Sequence, residues 1–271
     1  MPELPEVETS RQGIEPYLLN QTITKVLIRN PQLRWPIPNN LTKQLKGKTI
    51  QAINRRGKYI LIQIDKGNLI LHLGMSGSLR ISDPETAFRK HDHFVLTINH
   101  DKQLRLHDPR RFGAVLWQTG NPLKHKLLSK LGPEPLSEAF NTDYLYETNR
   151  NRKVSIKQHI MNSHIVVGVG NIYASEALFL AGIHPKRAAG RISKQRIEKL
   201  VAAIKQVLNA AIKQGGTTLR DFVKEDGQPG YFKQQLNVYG KTGDLCLVCG
   251  TPVKQIIQGQ RSTYYCPQCQ R

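Results

Sequence analysis

The sequence predicts an α+β fold in three parts: a β-sandwich led by a short helix, a helical domain, and a small hairpin module built on four cysteines. Three observations carry this. Between residues 23 and 117, short runs rich in branched and aromatic residues follow one another closely, which is the pattern of a sandwich or barrel. After Leu131-Gly132-Pro133-Glu134-Pro135-Leu136, a breaker that reads as a domain boundary, the apolar period becomes helical. The cysteines stand as Cys246-Leu-Val-Cys249 and Cys266-Pro-Gln-Cys269, outside both patterns. The expected boundaries are 1–131, 132–232 and 237–271.

Taken in order, Val7–Tyr17 reads as a helix with Pro5 at its start, Gly13 weakening it and Pro16 near its end. Strands are expected at Ile23–Ile28, Thr49–Ile53, Tyr59–Ile64, Leu69–Leu73, Phe94–Ile98, Gln103–Leu106 and Ala114–Trp117. Further on, Val166-Val167-Gly168-Val169-Gly170-Asn171 is a glycine-permitted turn that places Asn171 to cap a helix over Ile172–Ala181. A helix amino terminus with exposed N–H groups is an anion site. Its two glycines do not make a dinucleotide fingerprint, because Tyr173 stands where the third would fall, so no nucleotide cofactor is expected. Ser193 is placed to cap a helix whose apolar face is Ile197, Leu200, Val201, Ile204, Val207, Leu208, Ala211 and Ile212, with Gly215 past its end. Gly215–Phe222 reads as a polar loop, either a linker or a mobile element. Gly259-Gln260-Arg261-Ser262-Thr263 is the expected tip of the hairpin between the cysteine pairs.

Charge narrows the function. The 271 residues hold 40 Lys and Arg against 20 Asp and Glu, a net charge of +20 and a pI near 10.0. Such an excess attracts polyanions, nucleic acid foremost, although a ribosomal-type or heparin-binding surface has the same signature. No apolar run is long enough to span a bilayer and no apolar leader with a cleavage site is present, so a soluble cytoplasmic protein with no membrane partner is expected.

The cysteine spacing is that of a four-thiolate zinc site, two turns each presenting two sulfurs to one tetrahedral ion. Two disulfides are the alternative, at home in oxidising compartments. A single Zn2+ here is structural, because four thiolates leave no open position for water.

Other stretches bear chemistry. Removal of Met1 from Met1-Pro2-Glu3-Leu4-Pro5-Glu6 frees the Pro2 nitrogen as a secondary amine. An α-amino group titrates near about 7.7–8.0 against about 10.4 for Lys, so Pro2 needs little activation as a nucleophile, with Glu3 beside it to move a proton. The competing reading is that Pro2 and Pro5 merely introduce the helix. Lys58 in Arg55-Arg56-Gly57-Lys58-Tyr59 either reaches a phosphate or active site or ends a solvated turn. Met75 stands in the flexed loop His72-Leu73-Gly74-Met75-Ser76-Gly77. Arg110 and Phe112 stand in His107-Asp108-Pro109-Arg110-Arg111-Phe112-Gly113, a loop that could wedge a duplex or close a salt-bridged turn.

Together these motifs, in this order and over essentially the whole chain, resemble the bacterial formamidopyrimidine-DNA glycosylases, which remove oxidised purines from DNA. The resemblance implies a helix-two-turn-helix in the helical domain and a zinc finger at the hairpin. It implies that Pro2 attacks the sugar C1′, that Glu3 assists departure of the base, and that Lys58 and Arg261 serve β- and δ-elimination. It further implies that Met75, Arg110 and Phe112 fill the space left by the everted nucleotide, Arg110 facing the orphaned cytosine. His91, Arg152, Lys157 and Asn171 match DNA-contacting positions, and Thr217–Phe222 the loop over the lesion. Cys246, Cys249, Cys266 and Cys269 hold the metal, and the partner is duplex DNA bound by a monomer. Asn162 stands where several relatives carry Asp. Two alternatives remain at this point: an endonuclease VIII-like glycosylase for oxidised pyrimidines, against which Leu4 and the Met75/Arg110/Phe112 set argue, and a catalytically silent zinc-module DNA binder.

Overall fold

The computed structural model describes residues 2–215 and 236–271. The chain forms two compact units, Met1–Ser129 and Lys130–Gln214, the second including the described C-terminal segment. No helix among the described residues is long and apolar enough to cross a membrane.

The first unit opens with α1 (Leu4–Leu18), longer at both ends than the sequence suggests. Glu3 and Glu6 explain the early start. The Glu3 carboxylate accepts from the Glu6 N–H, and the Glu3 N–H donates to Glu6 Oε2 at 2.8 Å, a reciprocal capping box. Pro5 in the first turn lacks only an N–H that would have had no helical partner. Pro16 lies inside the last turn without ending it.

The strands are β1 (Ile23–Ile28), β2 (Ile50–Arg56), β3 (Tyr59–Ile64), β4 (Gly67–His72), β5 (Ser78–Ser82), β6 (Asp92–Ile98), β7 (Lys102–His107) and β8 (Ala114–Thr119), with the short helix α2 (Leu41–Leu45) after β1. They form two antiparallel sheets, ordered β1-β6-β7-β5 and β2-β3-β4-β8. Side chains alternate across a strand, so Ile60, Ile62 and Ile64 of β3 and Leu69 and Leu71 of β4 share one face. They bury it against Phe94, Leu96, Leu104 and Leu106 of the other sheet, with Val7, Ile14 and Leu18 of α1 in the same core. Strand β5, absent from the expected set, carries a short alternation of Leu79 and Ile81 with Ser78, Arg80 and Ser82, and it pairs with β7.

The second unit holds α3 (Thr142–Asn149), α4 (Ile156–Ile160), α5 (Asn171–Leu180) and α6 (Lys194–Lys213), then the hairpin β9 (Lys254–Gln258) and β10 (Arg261–Tyr265). Helices α3 and α4 are too short to show a period. Side-chain caps define them: Asn141 accepts from the Tyr144 N–H and Ser155 from the Gln158 N–H. In α6 the expected face is buried except Ile212, and Ser193 occupies the cap position without a side-chain cap bond. Asn171 does not cap α5. Gly170 takes the cap position and Asn171 is the first helical residue, which releases its side chain for another task. Between β9 and β10, Gly259 and Gln260 both have positive φ, 53° and 60°, the two-residue turn whose twist suits a hairpin.

Candidate functional site

In the first unit Pro2 and Glu3 are buried at the head of α1. The capping box fixes the Glu3 backbone, to which Pro2 is joined directly. Glu8, one turn on, ties the helix to the β2–β3 turn: its carboxylate takes Arg55 Nε at 2.8 Å, and Arg55 Nη1 donates to the Gly57 carbonyl at 3.0 Å. Burial pushes the Glu8 carboxyl up, but hydrogen bonds from Arg55 and Arg11 outweigh it and hold the group below the ordinary carboxylate value. Lys58 follows Gly57 directly, half-buried, so the helix bearing Pro2 and the turn bearing Lys58 are braced together.

His72 ends β4 across from Tyr59. Its Nδ1 accepts the Gly74 N–H at 3.1 Å, which leaves Nε2 to carry the ring proton. Burial, then the positive charges of Lys58 and Arg34, lower its pKa to about 4, so it is a neutral donor at working pH.

Beyond His72, two loops pack backbone to backbone. A Cβ on Gly74 (φ +65°) would stand 2.4 Å from the Phe112 carbonyl carbon, and one on Gly113 would stand 2.8 Å from the His72 oxygen. Asp108, fully buried, closes the second loop by accepting the Gly113 N–H at 2.7 Å. This knot brings Met75, Arg110 and Phe112 together on the rim of a cavity of about 710 Å³, also lined by Gln32, Leu33, Arg34 and His72. Met75 is 40% and Phe112 44% exposed, large apolar groups held out in water on an otherwise rigid loop pair. Arg110 Nε donates to Ser76 Oγ at 3.0 Å, and its guanidinium carbon lies 5.8 Å from the Phe112 ring centre.

His91 precedes β6, beside the rings of His93 and His107. Its neighbour Asp92 is fully buried and takes Arg80, the Arg89 N–H and His107 Nδ1. Arg105, also fully buried, donates to the carbonyls of Asp83, Thr86 and Ala87 and so shapes the loop before His91.

In the second unit Lys157 is only 1% exposed. Its ammonium donates to Asn171 Oδ1 at 2.6 Å and Thr263 Oγ1 at 2.7 Å, and Asn171 Nδ2 donates to the Ser262 carbonyl at 2.9 Å. Both residues therefore hold β10 next to the exposed Arg261. Arg152 is exposed, its Nε on the Thr148 carbonyl. Glu176 of α5, buried, receives Asn237 N and Nδ2, Val238 N and Tyr239 N at 2.7–3.0 Å. The residues Thr217–Phe222 lie outside the described part of the chain.

The four cysteines are free thiols whose sulfurs lie within 4.8 Å of one another, with Cys249–Cys266 at 3.4 Å and Cys246–Cys269 at 3.9 Å. A tetrahedral zinc with bonds of about 2.3 Å spaces its sulfurs by about 3.8 Å, so the set fits the ion, whereas a disulfide needs about 2.0 Å. Hydrogen bonds from Thr251 lower the Cys249 thiol to about 6, whereas burial raises the Cys266 and Cys269 thiols, so thiolates there would form only as a metal binds.

Three family models match in order: the formamidopyrimidine-DNA glycosylase N-terminal domain over residues 1–115, its H2TH domain over 131–223, and the zinc finger found in FPG and IleRS over 243–271. The formamidopyrimidine-DNA glycosylase of Thioalkalivibrio sulfidiphilus is 62% identical over 271 residues, all of both chains, and that of Marinobacter nauticus 56% over the same span. The chain belongs to the formamidopyrimidine-DNA glycosylase family. Among solved structures, the Lactococcus lactis Fpg complexed with DNA containing an abasic site superposes with a TM-score of 0.93 at 37% identity, all of both chains covered. The Thermus thermophilus MutM (Fpg) protein does so at 0.90 and 36%, covering 99% and 98%. A further MutM, at 0.91 and 37% over all of both chains, is complexed with DNA containing carbocyclic 8-oxo-G. The zinc-finger match and the four-cysteine cluster together support one structural zinc in this segment. The family sets aside both the endonuclease VIII-like alternative and the silent binder.

Reasoning from sequence missed His72, Ser76, Asp108 and Glu176 as parts of the site. His72, Ser76 and Asp108 sit inside quoted motifs, and for Ser76 its place between Gly74 and Gly77 was the available signal. Glu176 left none.

Proposed function

We propose that the chain is a bifunctional DNA repair enzyme that flips oxidised purines, 8-oxoguanine and formamidopyrimidines, out of duplex DNA, excises them through the Pro2 amine, and then cleaves the strand. Family membership over the whole chain supports the glycosylase and lyase activities, and the DNA complexes of its relatives support the partner. The observation that carries the residue assignment is the buried Pro2-Glu3 pair held by the capping box, one turn from the Glu8–Arg55 brace to the Lys58 turn.

In this reading the neutral Pro2 nitrogen attacks C1′ and the C1′–base bond breaks, with Glu3 assisting the leaving base. The sugar ring then opens at C1′–O4′, O4′ taking the proton that the Pro2 nitrogen loses, and the resulting iminium withdraws electrons from C2′. Lys58 assists loss of a C2′ proton as the 3′ C–O bond breaks, and Arg261 assists the second elimination that breaks the 5′ C–O bond. A one-nucleoside gap remains. A base inside a duplex is out of reach, so it is everted at about a few kcal/mol, and Met75, Phe112 and Arg110 occupy the vacated stack. His91, Arg152 and the turn before Asn171 bind phosphates, while Lys157 acts through Asn171 and Thr263. The regions 1–131, 132–232 and 237–271 work as catalytic sandwich, helix-two-turn-helix domain and finger. The enzyme acts as a monomer on chromosomal DNA in the bacterial cytoplasm.

Borohydride trapping on a duplex carrying 8-oxoguanine opposite cytosine tests the chemistry. The native protein forms a covalent adduct that maps to Pro2, and a form retaining Met1 forms none. An adduct on any other residue would sink the assignment.

A further inference from the structure

We propose that Ser76 sets the opposite-base selectivity of the enzyme by fixing which edge of the Arg110 guanidinium faces the duplex. The inference rests on the reading of Arg110 as the group that meets the orphaned base.

A guanidinium offers five donors in a planar fork, and its edges are not equivalent. In this structure Nε is already committed, donating to Ser76 Oγ at 3.0 Å. Ser76 is only 7% exposed, in a loop tightened by the Gly77 N–H on the Leu73 carbonyl at 2.8 Å. That loop is locked to the Arg110 loop by the close approach of Gly74 to Phe112. The hydroxyl is therefore a fixed acceptor. Among the described residues the partners of the Arg110 guanidinium are the Ser76 hydroxyl and the Phe112 ring, with no carboxylate. The ring of Phe112 flanks the guanidinium.

With Nε occupied, the edge left for a ligand is Nη1 and Nη2, two nearly parallel donors. Such an edge matches a base that shows two adjacent acceptors. Cytosine does, through O2 and N3. The pairing edge of adenine shows N1 beside an amino group and that of thymine shows a carbonyl beside an N–H, so each meets one donor with a donor of its own. If the hydroxyl were absent, Arg110 could turn and present its Nε edge or swing away, and a long side chain with its rotamer freedom restored discriminates less. Ser76 is thus a positioning residue: it touches no substrate, and its effect is on which base is accepted.

Single-turnover excision of 8-oxoguanine opposite cytosine and opposite adenine, by native protein, Ser76→Ala, Ser76→Thr, Arg110→Ala and the Ser76→Ala/Arg110→Ala double variant, tests this. The preference for cytosine is expected to fall about tenfold in Ser76→Ala and to survive in Ser76→Thr, which keeps the hydroxyl. In the Arg110→Ala background, Ser76→Ala should change the preference no further. A preference within about twofold of native in Ser76→Ala, with Arg110→Ala collapsing it, overturns the inference and leaves the reading of Arg110 standing. An unchanged preference in Arg110→Ala removes that reading and the inference together. An equal drop with and without Arg110 shows that Ser76 acts on the loop alone and also overturns it. Thermal melting of each variant establishes the fold, and should Ser76→Ala not fold, Ser76→Cys, close in size with a weak acceptor, takes its place with the same expectation.

Discussion

In the N-terminal unit Met75, Arg110 and Phe112 stand on loops pinned by backbone contact, in a unit whose apolar core joins both sheets and α1, whereas in the C-terminal unit Arg261 stands on a hairpin with almost no core of its own. The apolar cluster under that hairpin is Phe179, Val238, Cys246, Val253 and Cys266, and two of the five are metal ligands. Around it lie a buried ammonium, Lys157, and a buried carboxylate, Glu176, each fully engaged with acceptors or donors. Shape is kept in the sandwich by exclusion of volume and in the hairpin module by directed bonds. The two should therefore fail under different insults.

Metal removal gives the largest contrast. Structural zinc contributes on the order of 10–16 kcal/mol of apparent free energy to small modules, far more than the five-residue cluster supplies. Chelation is expected to abolish amide protection in β9 and β10 and weaken DNA binding at least about a hundredfold, while protection in β2, β3 and β4 stays unchanged. Hydrogen-exchange mass spectrometry reads both at once, and a hairpin that stays protected without metal would break the comparison.

Gly74→Ala probes the other unit. The residue combines φ +65° with a Cβ position 2.4 Å from the Phe112 backbone, and a loss of about 3–5 kcal/mol is expected. Gly120→Ala is the control: its φ is +68° but nothing lies within 4 Å, so only about 1 kcal/mol should be lost. Equal losses in urea denaturation would mean that backbone strain, and not the packed loops, sets the cost.

The smallest effect is acid sensitivity at His72. Its pKa falls from 6.5 to about 4 on folding. Above pH 6.5 the ring is neutral in both states and contributes nothing. As pH drops through 6.5 toward 4 the unfolded chain takes up a proton that the folded one refuses, so stability declines by about 3 kcal/mol in full. His72→Gln should flatten this part of the stability profile between pH 7 and 4, and an unchanged slope would show that other groups produce it.

Much of the fold was legible because burial writes a period into a strand or a long helix, as in Ile60, Ile62 and Ile64 or the face of α6. Strand β5 and helices α3 and α4 were not, because each is too short for its period to stand out. At the site, glycine and cysteine patterns were readable at once, since each has few physical uses. The pairing of Ser76 with Arg110 joins residues 34 apart, and that of Lys157 with Thr263 joins residues 106 apart. No local pattern marks either, and a buried lysine has the same letter as one that reaches a phosphate.

Glu176 carries a consequence for how such chains drift over generations. Three of the four donors to its carboxylate are main-chain N–H groups, those of Asn237, Val238 and Tyr239. These three bonds read the backbone and not the side chains, although Val238 itself is fully buried in the apolar cluster and the Asn237 amide adds the fourth bond. Proline breaks the joint at any of these positions, having no N–H to give. Inserting or deleting a residue would shift every donor out of register at once. Among relatives the approach to the finger is thus expected to keep its length, and the acid that counts it, even where its side chains differ.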